Sequence, residues 1–344
     1  MSRFVGVLRE TLLGDPAAIE SLPPRQASRL DRLLEANRLE PLVYHGLRSR
    51  GQEEKISPER LASWKMAYLL SVGRSLAFGE ALREVLAVAG ALRIPVRLLR
   101  GTQLGFFVYP SPELRPLLHL EVQTPPESAA ELQVALRSRR FHEMEELWSD
   151  EACDKHRLPT LAREGVTVRI HKRPSVTATP WDGFSDSARN LHQPRLLTAE
   201  PLLALLCQDA ARQSFCHSLL TIHDMHVVVE RLQPRWEKLG QIARESNLAL
   251  EIHLALTLLG DVLGTPIDGE FLKEMEERSH HGESRHKLLR KLAMTAATQH
   301  PASFRLGGFI GRLMEEARAS GPLAPARGYP LAGTAYGSGA FTAL

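Results

Sequence analysis

The sequence predicts an α+β fold, a small mixed-sheet core flanked by helical N-terminal and C-terminal regions. Apolar residues recur at helical spacing before residue 90 and again from Thr198 onward. Between those regions lie three short runs with strand chemistry, residues 94–99, 117–122 and 165–171. A helical pattern at residues 127–140 separates the second strand run from the third. Strand, turn, strand, helix, strand in one short stretch is the signature of a small α/β or α+β core.

Each element has its own warrant. Residues 25–39 place Leu30, Leu33, Leu34 and Leu39 on one helix face, and Pro41 ends or redirects that helix. Residues 61–91 form a longer helical run in which Leu69, Leu70, Leu76, Leu82, Val85 and Leu86 are spaced for burial. Ser57-Pro58 supplies its N-cap and first-turn proline, and Gly90 its stop. Residues 94–99 (IPVRLL) are branched and apolar and lead into Arg100-Gly101-Thr102, while residues 165–171 (GVTVRIH) alternate as a strand does. Helical patterns resume at Ala199, then at residues 218–232, 235–246 and 249–263, where Gly264-Thr265-Pro266 closes the series. The Gly-, Ala- and Pro-rich stretch 321–344 has little to bury and is expected to be a passive, flexible tail. The expected division is therefore an N-terminal helical region (1–90), a core (91–180), a C-terminal helical domain (190–315) and the tail (321–344).

Composition excludes more than it assigns. A chain of 344 residues exceeds one compact core. Its 43 Lys+Arg against 40 Asp+Glu leave a net charge of +3, which does not require nucleic acid as a partner. Cys153, Cys207 and Cys216 make neither a disulfide framework nor a CxxC pair and read as reduced thiols of a cytoplasmic protein. No run has signal-peptide or membrane-spanning quality, so no membrane partner is expected. GxSxG and GxGxxG motifs are absent, which removes the support for a serine-hydrolase elbow or a dinucleotide site.

The informative constellation lies in the middle of the chain. Residues 94–101 (IPVRLLRG) are followed by Tyr109, Arg115, the strand run Leu117-Leu118-His119-Leu120-Glu121-Val122, and later Val168-Arg169-Ile170-His171. Downstream come Thr198-Ala199-Glu200-Pro201, Asp224 within Ile222-His223-Asp224-Met225, Trp236 and Leu263-Gly264-Thr265-Pro266. In this order, across roughly residues 20–270, the chain resembles the poorly characterised nucleotidyltransferases related to the polymerase-beta-like superfamily, in the branch with helices on both sides of the catalytic core.

The resemblance implies a definite chemistry. In that superfamily two carboxylates at i and i+2 of a strand share one face, and a third comes from a neighbouring strand. Together they hold magnesium ions against a nucleotide triphosphate. Here the corresponding positions are His119, Glu121 and Arg169. Imidazole is a poor ligand for magnesium, and a guanidinium repels it. The resemblance thus implies a degenerate site at His119, Glu121 and Arg169, with Arg169 expected to bridge to Glu121. Arg100, Gly101, Thr102 and Arg115 would remain as a surface for a nucleotide or a phosphorylated ligand. No cofactor is expected, magnesium only if an active alternative holds in which Glu121 joins other carboxylates such as Glu113 or Asp150. A protein partner and an oligomer are both compatible with exposed helical faces.

Plainer readings stand beside these. His119 and Glu121 also suit a solvated strand face, Arg100-Gly101-Thr102 a simple turn, and His171 a satisfied core or orienting histidine. The cluster His217, His223, Asp224, His226, with His192 and Asp261, resembles the His-Asp doublet of metal-dependent phosphohydrolases. A bridge from Asp224 between helices competes with that reading. Arg137, Arg139 and Arg140 close a helix, where cations suit its dipole.

Overall fold

Prolines set the helix starts in the N-terminal third, because their fixed φ fits the first turn and their missing N–H costs nothing there. After α1 (Arg3–Arg9), Pro24 opens α2 (Pro24–Asn37), Pro41 lies in the first turn of α3 (Glu40–Ser49) and Pro58 opens α4 (Pro58–Ala91). Pro41 therefore begins a helix, while α2 already stops at Asn37 with Arg38 in the left-handed cap conformation. Ser57 does not cap α4 with its hydroxyl; its backbone N–H donates instead to Glu20 Oε1 at 3.2 Å. The computed structural model describes residues 3–144, 156–173, 193–216, 218–279 and 283–298, with Ile310 and Met314.

The middle of the chain contributes β1 (Arg97–Leu98), α5 (Arg100–Gln103), β2 (Leu120–Gln123), α6 (Pro126–Arg137), β3 (His142–Glu143), β4 (Leu161–Arg163) and β5 (Val166–His171). The sheet order is β1-β2-β5-β4-β3, with β2 and β5 parallel and the other pairs antiparallel. All three expected strands form, the first two of them shortened. The short strands β3 and β4 add to them; neither is long enough to show an alternating pattern. The C-terminal helices are α7 (Ala199–Arg212), α8 (Leu219–Leu232), α9 (Trp236–Glu245), α10 (Ala249–Leu263), α11 (Gly269–Arg278) and α12 (Glu283–Thr298). The fold is α+β with helical flanks.

Two apolar cores organise these elements. In the first, Phe78, Leu82 and Val85 of α4 and Leu132 and Leu136 of α6 cover one sheet face built from Leu98, Leu120, Val122, Val168 and Ile170. In the second, helices from both ends of the chain pack together, for example Leu8, Leu30 and Leu34 with Leu202, Ile222, Leu256 and Leu259. α4 threads both, since its Trp64 belongs to the second core. Leu69, Leu70 and Leu76, expected to be buried, are 52%, 66% and 66% exposed because neighbours cover only the other faces of this helix.

Two polar contacts pin distant segments. Buried Asn37 donates to Leu33 O and accepts from Leu219 N at 3.0 Å, satisfying an orphan donor at the start of α8. The Arg9 guanidinium donates to Val262 O and Asp261 O at 3.1 and 2.9 Å, closing the C-terminus of α10. Among the described residues no helix is long and apolar enough to cross a membrane.

Candidate functional site

The apolar core takes Leu120 and Val122 of β2, so strand alternation turns Glu121 and Gln123 to the opposite face. On β5 the same rule puts Arg169 and His171 on that face, in register opposite Glu121 and Gln123. His119 immediately precedes β2. Arg97 on β1 joins the face by donating to Gln123 Oε1 at 2.9 Å.

The turn after β1 lies against this face. Arg100 has a left-handed φ of 42°, a costly conformation for a residue with a Cβ. Thr102 is fully buried, and its hydroxyl accepts the Glu121 N–H at 2.7 Å, while its own N–H goes to Leu99 O. The Thr102 hydroxyl oxygen thus holds the turn to β2 while its N–H closes the turn itself. A Cβ on Gly101 would stand 2.2 Å from Nη1 of Arg115, so glycine is required there for the guanidinium to lie across the turn.

Arg100 is the hub of the ion pairs. Its Nε and Nη2 donate to the two carboxylate oxygens of Asp209 on α7, and its Nη1 lies 3.6 Å from Glu121 Oε1. Glu121 Oε1 also lies 3.5 Å from His171 Nε2. Burial disfavours a charged Glu121, but the Arg100 guanidinium and His171 outweigh it and hold the carboxyl well below the usual range. The expected Arg169–Glu121 bridge does not form. The two residues face each other in strand register, yet the carboxylate turns toward Arg100, which Asp209 anchors, and toward His171. Arg169 Nε is buried without a hydrogen-bond partner among the described residues.

Burial disfavours the charged form of both histidines on this face. Burial lowers His171, Glu121 opposing; it is a buried histidine beside the Glu121 carboxylate, with no hydrogen bond on either ring nitrogen among the described residues. Burial and the Arg169 guanidinium push His119 down to about 4.

A second ion pair ties the loop before β2 to α8. Arg115 donates from Nε and Nη2 to the two oxygens of Asp224, at 3.2 and 2.7 Å, and Asp224 is completely buried. Tyr109 Oη donates to Asp224 Oδ1 at 2.9 Å and lies 2.7 Å from His223 Nδ1. The phenol has one proton, so His223 Nδ1–H is the donor to Tyr109, which fixes the neutral Nδ1–H tautomer. Burial lowers His223 to about 3, consistent with that assignment. Burial and then the Asp224 carboxylate keep the Tyr109 phenol protonated.

The structure therefore brings Arg100, Thr102, Glu121, Arg169, His119 and His171 together, with Gly101 and Arg115 against their edge. Among the described residues the helical metal cluster is not assembled. His226 bonds Thr265 Oγ1, Asp261 pairs with Arg290, and Asp224 serves as the bridge just described. His192 and His217 lie outside the described residues. Glu113 accepts from Tyr68 at 3.4 Å, and Asp150 lies outside the described residues.

Magnesium does not fit this donor set. It requires hard oxygen ligands, whereas Glu121 is flanked by two guanidiniums and two imidazoles. Among the described residues no group of three His, Cys, Asp or Glu side chains could hold a metal ion. Asp209 was missed from sequence; its signal is an acid, with Gln208, inside an otherwise apolar helical run.

Among protein families, the model described as an uncharacterised nucleotidyltransferase matches residues 23–264. No curated protein and no solved structure matches the chain.

Proposed function

Since the chain belongs to the uncharacterised nucleotidyltransferase family, we propose that it is a catalytically degenerate member that binds a nucleotide or other phosphorylated ligand without turning it over. The observation that carries this reading is the fate of Glu121. It is the one carboxylate at the three positions of the catalytic constellation, and it is engaged by Arg100 and His171. His119 and Arg169 occupy the other two. Removing two carboxylates and adding a guanidinium replaces a cation site with one that favours an anion.

Arg169 supports the binding half of the reading. A buried donor left unmatched costs about 1–3 kcal/mol, which a phosphate oxygen on Nε would recover. Arginine is also the side chain best shaped for phosphate. Arg115 is committed to Asp224. Arg100 gives Nε and Nη2 to Asp209, while its Nη1 is left without a hydrogen bond among the described residues. Arg169, with Arg100 Nη1 beside it, is therefore assigned to the ligand.

Calorimetric titration of the full chain with ATP, with and without magnesium, tests the proposal on the wild type and on Arg169→Asp. The expected result is binding that needs no magnesium and weakens at least tenfold in the variant. Magnesium-dependent nucleotidyl transfer by the wild type would support the active alternative and overturn the proposal.

A further inference from the structure

The outer face of α4 carries an apolar stripe that nothing in the cleft explains. Met66, Leu69, Leu70 and Leu76 are 58%, 52%, 66% and 66% exposed. Ala62, Gly73 and Ala77 are exposed along with them. At helical spacing residues 66, 69, 70, 73, 76 and 77 fall within about 120° of the circumference and run for about 17 Å. Single exposed leucines are ordinary, but a continuous stripe of them marks a contact surface.

Gly73 is the second observation. A Cβ built on it meets nothing within 4 Å, so no neighbour inside the protein needs a glycine there. Glycine inside a helix costs about 1 kcal/mol relative to alanine, and this one sits mid-way along a 34-residue helix. Its open side is the stripe, where the missing side chain leaves a notch between Leu70 and Leu76.

Charge selects the occupant. Lys65 and Glu80, both exposed, stand at opposite ends of the stripe, with exposed Arg74 and Arg83 on its flanks. A second α4 laid antiparallel, with its two-fold axis through Gly73, pairs residues equidistant from that position. Leu70 then meets Leu76, Leu69 meets Ala77, and Lys65 comes beside Glu80 of the second copy at both ends. A parallel arrangement would set Lys65 against Lys65 and Glu80 against Glu80. We propose that this face of α4 is a homodimer contact, isologous and antiparallel about Gly73, in which the two facing Gly73 positions let the helices approach closely and Leu70 of each copy packs against Leu76 of the other. The proposal does not depend on what the cleft binds.

Sedimentation of the full chain at tens of micromolar tests it. The wild type should sediment as a dimer. Leu70→Glu with Leu76→Glu should raise the dimer dissociation constant about 100-fold or more, with unchanged far-ultraviolet circular dichroism. Lys65→Glu alone should weaken the dimer, and adding Glu80→Lys should restore it. Gly73→Cys should cross-link to itself on mild oxidation above the background of the native cysteines. A mixture of Lys65→Cys and Glu80→Cys chains should cross-link faster than either variant alone. A monomeric wild type, as when another segment of the same chain covers the stripe, overturns the proposal. So does a dimer that survives the double glutamate substitution. Preferential self-linking of Lys65→Cys overturns the antiparallel arrangement.

Discussion

The Arg115 guanidinium lies against the α-carbon of Gly101, where a methyl group would approach its Nη1 to 2.2 Å. The same guanidinium makes a two-point contact with Asp224, a carboxylate with no exposure at all. One glycine, in the turn after β1, thus permits the pairing that joins the loop before β2 to helix α8. Gly101→Ala is expected to push Arg115 off Asp224 and destabilise the protein by about 1–3 kcal/mol, as overpacking at a closed site does. Urea denaturation checks this. In an Arg115→Ala background the same substitution should cost much less, because the atoms it strikes are gone.

Arg100 and Asp209 make the corresponding link to α7. Removing one member of a buried pair strands the other charge and costs about 3–5 kcal/mol. Asp209→Asn is therefore expected to destabilise strongly while preserving shape. It should also release the Arg100 guanidinium from its position over β2. A double-mutant cycle between Asp209→Asn and Arg100→Gln measures the coupling, and additive effects would show that the pair does not act as a unit.

The contrast between these two pairs and the expected Arg169–Glu121 bridge shows what a sequence exposes. Helices with strong apolar periodicity were legible, down to identical bounds for residues 249–263. The polar face of β2 and β5 was also legible, since alternation and a parallel neighbour put Glu121 beside Arg169. Side-chain choice was not. Glu121 turns to Arg100 because Asp209, more than a hundred positions away, fixes that guanidinium over the strand. Likewise the spacing of Leu69, Leu70 and Leu76 established a helix without saying which face its neighbours would cover. Both failures concern tertiary partners, which local pattern does not encode.

The buried histidines make stability fall with acid. His223 in the folded protein titrates near 3, against about 6.5 for an exposed histidine. Between those values the unfolded chain binds the proton and the folded chain does not, so unfolding is favoured as pH drops. The slope is about 1.4 kcal/mol per pH unit for each such group. His119, lowered to about 4, adds a second contribution over the same window. Denaturation midpoints should therefore decline from pH 7 toward pH 5. His223→Asn, whose amide can still donate to Tyr109, should show a shallower decline than the wild type. Equal slopes would mean that His223 takes up its proton as readily in the folded state as in the unfolded one.

Gly264 separates a backbone requirement from a steric one. It closes α10 at φ 70°, where a side chain is strained by about 1 kcal/mol. A Cβ there would also stand 2.9 Å from the guanidinium carbon of Arg9, which holds the last carbonyls of this helix. Gly264→Ala is expected to cost more than the backbone strain alone, because Arg9 must shift away from Val262 O and Asp261 O. In an Arg9→Ala background the steric part vanishes and only the conformational part remains. The difference between the two measured losses, obtained by urea denaturation, reports the worth of the Arg9 cap. If Gly264→Ala costs the same in both backgrounds, Arg9 moves freely and its contacts with α10 contribute nothing to stability.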